Sequence, residues 1–219
     1  MRPKLIPNKK VFLGGNNSYY ITKDKRYFVK VNKGRREWII KEFNNLKKYW
    51  NKLDVGKIQL IEPVYFSEKN EFLVTKYLNS KKLVEILDPY VYYEFGKNLK
   101  LFHEKGFRHS HLEVHDILYY DNKYYLADVP FFNERPIIHD LVSIKLSLNL
   151  YKLKRPWNLY KYKRCYEEFL KGYGTLSYKK LEKEYHVSIK KRIRLYLKHG
   201  SINKFKAYII KLIYKIRLL

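Results

Sequence analysis

Eight residues, from His109 to Asp116, constrain the fold of this chain more than any other stretch. They hold three histidines, Glu113 and Asp116, and they follow a helical pattern that stops at Gly106. Twelve residues beyond Asp116, the apolar run Tyr124-Tyr125-Leu126-Ala127 ends in Asp128. Burying that run as a strand presents the Asp128 carboxylate at a cleft. Asp116 and Asp128 are hard oxygen donors, so together they make a candidate two-carboxylate site for Mg2+. His109, His111 and His115 have no cysteine beside them, and loop spacing constrains a ligand set too little to favour zinc.

The elements around this loop follow from pattern and punctuation. Residues 11–31 read as two strands joined by turns at Gly14-Gly15-Asn16-Asn17-Ser18 and Lys23-Asp24-Lys25, with residues 27–31 one of the strands. Residues 36–50 have helical spacing, with Trp38, Ile39, Phe43, Leu46, Tyr49 and Trp50 able to share one face. Residues 58–65 and 71–77 read as two more strands around a polar turn. A short helix at 83–87 and a longer one at 90–105, capped by Gly106, come next. Residues 117–120 and 124–128 form a small hairpin, and the pattern is helical from Ile138 onward. Strands followed by helices predict an α+β fold of two lobes. The expected division is 1–79 for a β-rich N-lobe, 80–186 for a larger helical C-lobe, and 187–219 for a basic tail.

Lys30 sits inside the apolar strand Phe28-Val29-Lys30-Val31, and Glu42 follows on the helix, with Glu37 as a competing choice. A lysine on an alternating strand normally faces solvent. The order of strand, lysine, helix and glutamate argues instead for a functional lysine held by a helix glutamate. Gly14 and Gly15 lie one hairpin earlier, where a backbone without side chains can approach a phosphate. Phe72-Leu73-Val74-Thr75-Lys76-Tyr77-Leu78-Asn79 is an apolar strand running into a polar break.

This order of residues resembles the protein-kinase-like superfamily. Within it, the sequence is most similar to the small bacterial kinases of lipopolysaccharide-core sugars, which phosphorylate heptose or Kdo; aminoglycoside phosphotransferases look like more distant relatives. The resemblance covers roughly residues 11–172 and includes Phe102-His103-Glu104-Lys105-Gly106, His139-Asp140-Leu141-Val142-Ser143-Ile144 and Phe169-Leu170-Lys171-Gly172-Tyr173. It implies a small β-rich N-lobe and a larger, mainly helical C-lobe. It also implies ATP as cofactor, with Gly14, Gly15, Lys30 and Glu42 around its phosphates and a hinge at Lys76, Tyr77 and Leu78 for adenine. Asp116 and Asp128 become its magnesium ligands.

The chain departs from that pattern at the reacting centre. The catalytic aspartate position holds His111, the metal-binding asparagine position holds Asp116, and Glu113 stands where related kinases carry lysine or histidine. His111 can accept a hydroxyl proton. Glu113 is a second candidate base, a loop neighbour that nothing in the sequence aims into the site. Because Lys30, Glu42 and Asp128 all remain, the expected activity is phosphoryl transfer from ATP to a sugar hydroxyl. A pseudokinase serving as a binding or scaffold module is the first alternative, and a nonspecific nucleic-acid-binding protein the second.

The net charge of +26 calls for a polyanionic partner. Residues 187–219 hold ten Lys or Arg and no acid. There Ile202, Phe205, Ile209, Leu212, Ile213 and Ile216 follow helical spacing, which suits either an anionic membrane surface or packing on the C-lobe. A lipid-linked or phosphorylated sugar acceptor fits the same charge. Nucleic-acid binding is expected only as a nonspecific charge effect, since no nucleic-acid motif is present. The single cysteine, Cys165, excludes an internal disulfide and fits the cytoplasm. No run of eighteen apolar residues occurs, so the expected location is cytoplasmic, with peripheral association at the inner membrane.

Overall fold

The computed structural model describes residues 7–14, 17–32, 36–174 and 178–198. Among the described residues, two sheets and five helices form an N-terminal β-rich lobe and a mainly helical second lobe. The first sheet is antiparallel, in the order β1 (Pro7–Gly14), β2 (Asn17–Thr22), β3 (Tyr27–Asn32), β6 (Phe72–Lys76), β5 (Pro63–Ser67). Residues 11–31 thus contribute to three strands where the sequence suggested two, because Gly14 and Asn17 close a hairpin. Register places Lys30 opposite Leu73 and Val29 opposite Val74.

Helix α1 (Arg36–Tyr49) buries Ile39, Glu42 and Leu46 at helical spacing. Trp38 and Trp50 do not join that face; they are 40% and 37% exposed. Glu42 therefore takes the core position and Glu37 stays in solvent.

The expected strand at 58–65 splits in two. β4 (Ile58–Leu60) leaves the first sheet and pairs in parallel with β9 (Lys123–Leu126), aligning Ile58 with Tyr124. The second sheet runs β4, β9, β8 (Ile117–Tyr120), β7 (Lys81–Lys82). Ile58, Leu60, Ile117, Tyr124 and Leu126 fill one core, so the strand swap is driven by burial that the local pattern does not show. The short helix expected at 83–87 is a 3-10 turn over Leu83–Glu85.

Helix α2 (Pro89–Glu104) begins where the Asp88 carboxylate accepts the Tyr90 N–H at 2.9 Å. It buries Tyr92, Phe95, Leu99 and Phe102. Gly106, at φ +84°, ends it, and the N–H of Phe107 reaches the Phe102 carbonyl at 3.1 Å. Helices α3 (Ile138–Lys154), α4 (Leu159–Tyr173) and α5 (Tyr178–Lys198) complete the lobe. In α3, Leu141, Val142, Ile144, Leu146 and Leu148 are all buried, and so are Asp140, Ser143, Lys145, Ser147 and Asn149 alongside them, so the helix runs through the centre with nearly every side covered. Burial pushes the Cys165 thiol on α4 up to about 12.

Helices α2 and α4 touch backbone to backbone at Gly96 and Gly172. A Cβ on Gly172 would collide with the Tyr93 carbonyl, and one on Gly96 with the Phe169 carbonyl. Gly172→Ala is expected to cost at least about 1–3 kcal/mol, the scale of overpacking a close-packed core. A lowered urea midpoint with unchanged slope checks it.

Helix α5 runs unbroken through residue 187, where the sequence reading began a separate tail. Leu181, Tyr185 and Ile189 are buried, and Asn149 donates to the Tyr185 hydroxyl at 2.7 Å. As far as Ile193 the helix therefore packs on the C-lobe, while Lys183, Lys190, Lys191 and Arg194 face solvent. The apolar positions from Ile202 to Ile216 lie outside the described residues. Among those described, no helix is long and apolar enough to cross a membrane.

Candidate active site

Lys30 is the pivot of the cleft. Its strand turns it inward, and its Nζ lies 2.6 Å from Glu42 Oε2 and 2.7 Å from Asp128 Oδ1. Burial opposes the ammonium charge, but the two carboxylates outweigh it and hold the Lys30 pKa above the ordinary lysine range. Glu42 is buried with it; burial pushes its carboxyl up while Lys30 pulls it down. Asp128 is 51% exposed along its side chain. Burial would raise its pKa, yet Lys30 keeps it below the usual carboxylate range. Through these two bonds β3, α1 and the end of β9 meet at one nitrogen.

The loop is held from below by Asp140, which the sequence reading left out of the site. Its fully buried carboxylate accepts the N–H of His109 at 2.9 Å and that of Leu112 at 3.3 Å, and His103 Nε2 lies 3.2 Å away. His103 Nδ1 meets the Tyr173 hydroxyl at 2.7 Å. His103 and His109 are thus structural, as their place in the pattern suggests. Ser147 Oγ accepts the Val114 N–H at 3.1 Å. An acid at the head of the apolar run Leu141-Val142 was the signal for this role.

Two further bonds tie together the segments that carry Asp116 and Asp128. The Ala127 N–H donates to the Asp116 carbonyl at 2.8 Å, and His109 Nε2 meets the Ala127 carbonyl at 2.8 Å. Burial lowers the His109 pKa, so its ring is neutral and donates there. Ser110 and Asp128 both adopt positive φ, +73° and +59°. Non-glycine residues held this way commonly cluster at functional sites.

Asp116 is nearly buried, and burial pushes its pKa well above the ordinary value, with the nearby charges of Asp128 and Glu113 adding to the effect. This tests the magnesium expectation. Two adjacent carboxylates that disfavour one another's charge, on hard oxygen donors, fit a divalent cation whose remaining ligands come from phosphate and water. No group of three His, Cys, Asp or Glu suited to a metal occurs among the described residues, so a histidine-based zinc site gains no support. Asp116 also gives a pH prediction. Its folded pKa is raised, so its contribution to stability is full at acid pH and is lost as pH rises through the raised value. Asp116→Asn is expected to melt higher than wild type without magnesium at about pH 8, and equally at about pH 4. Thermal scans at both values check it.

His111 is 42% exposed along its side chain, and its Nε2 lies 3.2 Å from Glu113 Oε1. The other Glu113 oxygen is 3.5 Å from His115 Nε2, and Glu113 is only 12% exposed. Glu113 therefore points inward, between two imidazoles. The segment expected to serve as a hinge is partly committed: the N–H of Lys76 donates to the Glu62 carbonyl at 2.9 Å and that of Tyr77 to the Arg26 carbonyl at 2.8 Å. Leu78 follows, with its carbonyl accepting from Ser80 Oγ at 3.3 Å. Gly14 lies at the end of β1, and Gly15 falls outside the described residues.

No family model matches the sequence, and no curated protein matches it. Solved structures do. The chain is similar to the aminoglycoside phosphotransferase APH(2'')-IIa in its ternary complex with streptomycin and ATP, with a TM-score of 0.64 at 14% identity, covering 90% of this chain and 87% of the other. It is also similar to ADP-bound aminoglycoside phosphotransferase APH(2'')-Ib, with a TM-score of 0.54 at 12% identity, covering 95% of this chain and 86% of the other. The likeness to core-sugar kinases rests on the sequence motifs alone. With the lysine, glutamate and aspartate joined across a β-rich and a helical lobe, the chain has the protein-kinase-like fold.

Proposed function

We propose that this chain is an ATP- and magnesium-dependent phosphotransferase acting on a hydroxyl group, with a lipopolysaccharide-core sugar, heptose or Kdo, as acceptor. The observation that carries the reading is Lys30, buried on β3 and bonded at once to Glu42 and Asp128. A buried lysine bridged to carboxylates of both lobes is what positioning a nucleotide triphosphate requires. Lys30 binds the phosphates and Glu42 holds it in place. Asp116 and Asp128 would hold magnesium, which when bound neutralises charge on the transferring phosphoryl group. With the Lys76 and Tyr77 donors committed, adenine recognition falls to Leu78 and the hinge carbonyls.

The acceptor side has its own support. Trp157 and Tyr160 are 77% and 73% exposed at the corner between α3 and α4. Lys154, Arg155 and Lys161 are exposed around them. The ring of Tyr151, on the same corner, lies 6.2 Å from that of His115 in the loop. Aromatic faces flanked by cations suit a sugar that carries phosphate or carboxylate. The same charge supports work beside an anionic membrane on the cytoplasmic side.

One observation favours a second reading, a binding module without turnover: an imidazole, His111, stands in the catalytic aspartate position. Calorimetric titration of ATP with and without magnesium, on wild type and Lys30→Ala, tests the nucleotide site. Magnesium-dependent binding that weakens by about tenfold or more in Lys30→Ala is expected, the effect of losing one charge-assisted contact. No binding at millimolar ATP would sink the proposal. Release of ADP with candidate sugars then separates an enzyme from a binding module.

A further inference from the structure

Resting on the phosphotransferase reading, we propose that His111 and Glu113 act as one proton-accepting unit. Glu113 is the positioning residue: it fixes the His111 imidazole as the Nε2–H tautomer and leaves Nδ1 as the base toward the acceptor hydroxyl.

The geometry is specific. Oε1 of Glu113 lies 3.2 Å from His111 Nε2, and Oε2 lies 3.5 Å from His115 Nε2. A ring nitrogen that faces a carboxylate carries the proton, because a lone pair there would meet an anion; the second nitrogen then stays bare. Glu113 is hemmed in: only 12% of its side chain is exposed, and His115 Nε2 stands 3.5 Å from its other oxygen. His115 is itself held in place: its ring packs 6.2 Å from that of Tyr151. His111, by contrast, is 42% exposed and open to an incoming molecule.

The electrostatics close the argument. A lone imidazole changes from neutral to positive when it takes a proton. The His111–Glu113 pair changes from one negative charge to none, as a single carboxylate does. Proton uptake beside Asp116 and Asp128 therefore builds no positive charge in the pair, and its negative charge before reaction helps to orient the hydroxyl. In the step itself, the acceptor oxygen forms a bond to the γ-phosphorus of ATP and its proton passes to His111 Nδ1. The bond from that phosphorus to the bridging oxygen breaks, and its electron pair leaves with ADP. The proton later returns from Nδ1 to solvent.

The test has two arms on the full chain. Nitrogen-15 NMR of the His111 ring in its neutral form is expected to show protonated Nε2 and bare Nδ1, with the two tautomers evened out in Glu113→Gln. Turnover is read as phosphate release from magnesium-ATP with water as acceptor. Glu113→Gln is expected to lower it about 10- to 100-fold, within the range of general-base effects, with ATP affinity unchanged. In a His111→Ala background the same substitution is expected to change it less than about threefold, because both residues serve one step. A wild-type ring protonated at Nδ1, multiplicative losses, or bound ATP that is never hydrolysed overturns the pair alone. Failure of wild type to bind ATP overturns the phosphotransferase reading, and the pair with it.

Discussion

Asp128→Ala is expected to abolish magnesium-dependent ATP binding and to cut phosphoryl transfer about a thousandfold or more, the scale of losing one preorganised electrostatic group at a reacting centre. The side chain has two duties. It accepts from Lys30 at 2.7 Å, and with Asp116 it supplies the two carboxylates that fit magnesium. Its removal leaves the Lys30–Glu42 pair intact at 2.6 Å, so the fold should survive and the loss should be one of function. Asp116 should then ionise more readily, because a like charge that raises its pKa has gone. Titration calorimetry with magnesium-ATP, alongside a melting curve, checks both halves. Unchanged turnover in this variant would remove Asp128 from the proposed metal site.

The largest stability effect is expected at Asp140. Alanine there strips the acceptor from two backbone N–H groups, His109 and Leu112, and from the His103 ring. Each buried polar group left unsatisfied costs about 1–3 kcal/mol, so a loss of about 3–5 kcal/mol follows. Asp140→Asn keeps one acceptor oxygen and should lose less. Denaturant unfolding gives the stability, and hydrogen exchange at the His109 and Leu112 amides reports whether the loop opens first. A loss below about 1 kcal/mol would show that the loop has other supports.

What the sequence made legible was local. The Lys30 strand, the Glu42 position on α1 and the Gly106 cap each follow from spacing within a few residues of themselves. The missed features depend on distant partners. β4 finds β9 rather than its neighbour, because burial of Ile58 and Leu60 is satisfied only there. Asp140 serves a loop some thirty residues earlier, and an acid on a helix reads as solvent-facing until its partners are known. Glu113 looked unaimed because its direction is set by His111 and His115 and by the turn between them, not by any pattern of its own. The hinge donors of Lys76 and Tyr77 were spoken for by Glu62 and Arg26, a fact of sheet geometry invisible in composition.

The bond between Lys30 and Asp128 has a consequence for the order of events. In the proposed function, a lysine and a divalent cation would compete for one carboxylate. Magnesium arriving alone would meet an ammonium ion 2.7 Å from one oxygen of its ligand. A triphosphate arriving alone would draw Lys30 toward itself and set Asp128 free. On the proposed function, metal and nucleotide would therefore recruit one another, and thermodynamic linkage would make the help mutual and equal. The Lys30–Asp128 contact is, in this sense, a latch with the lysine as its bolt.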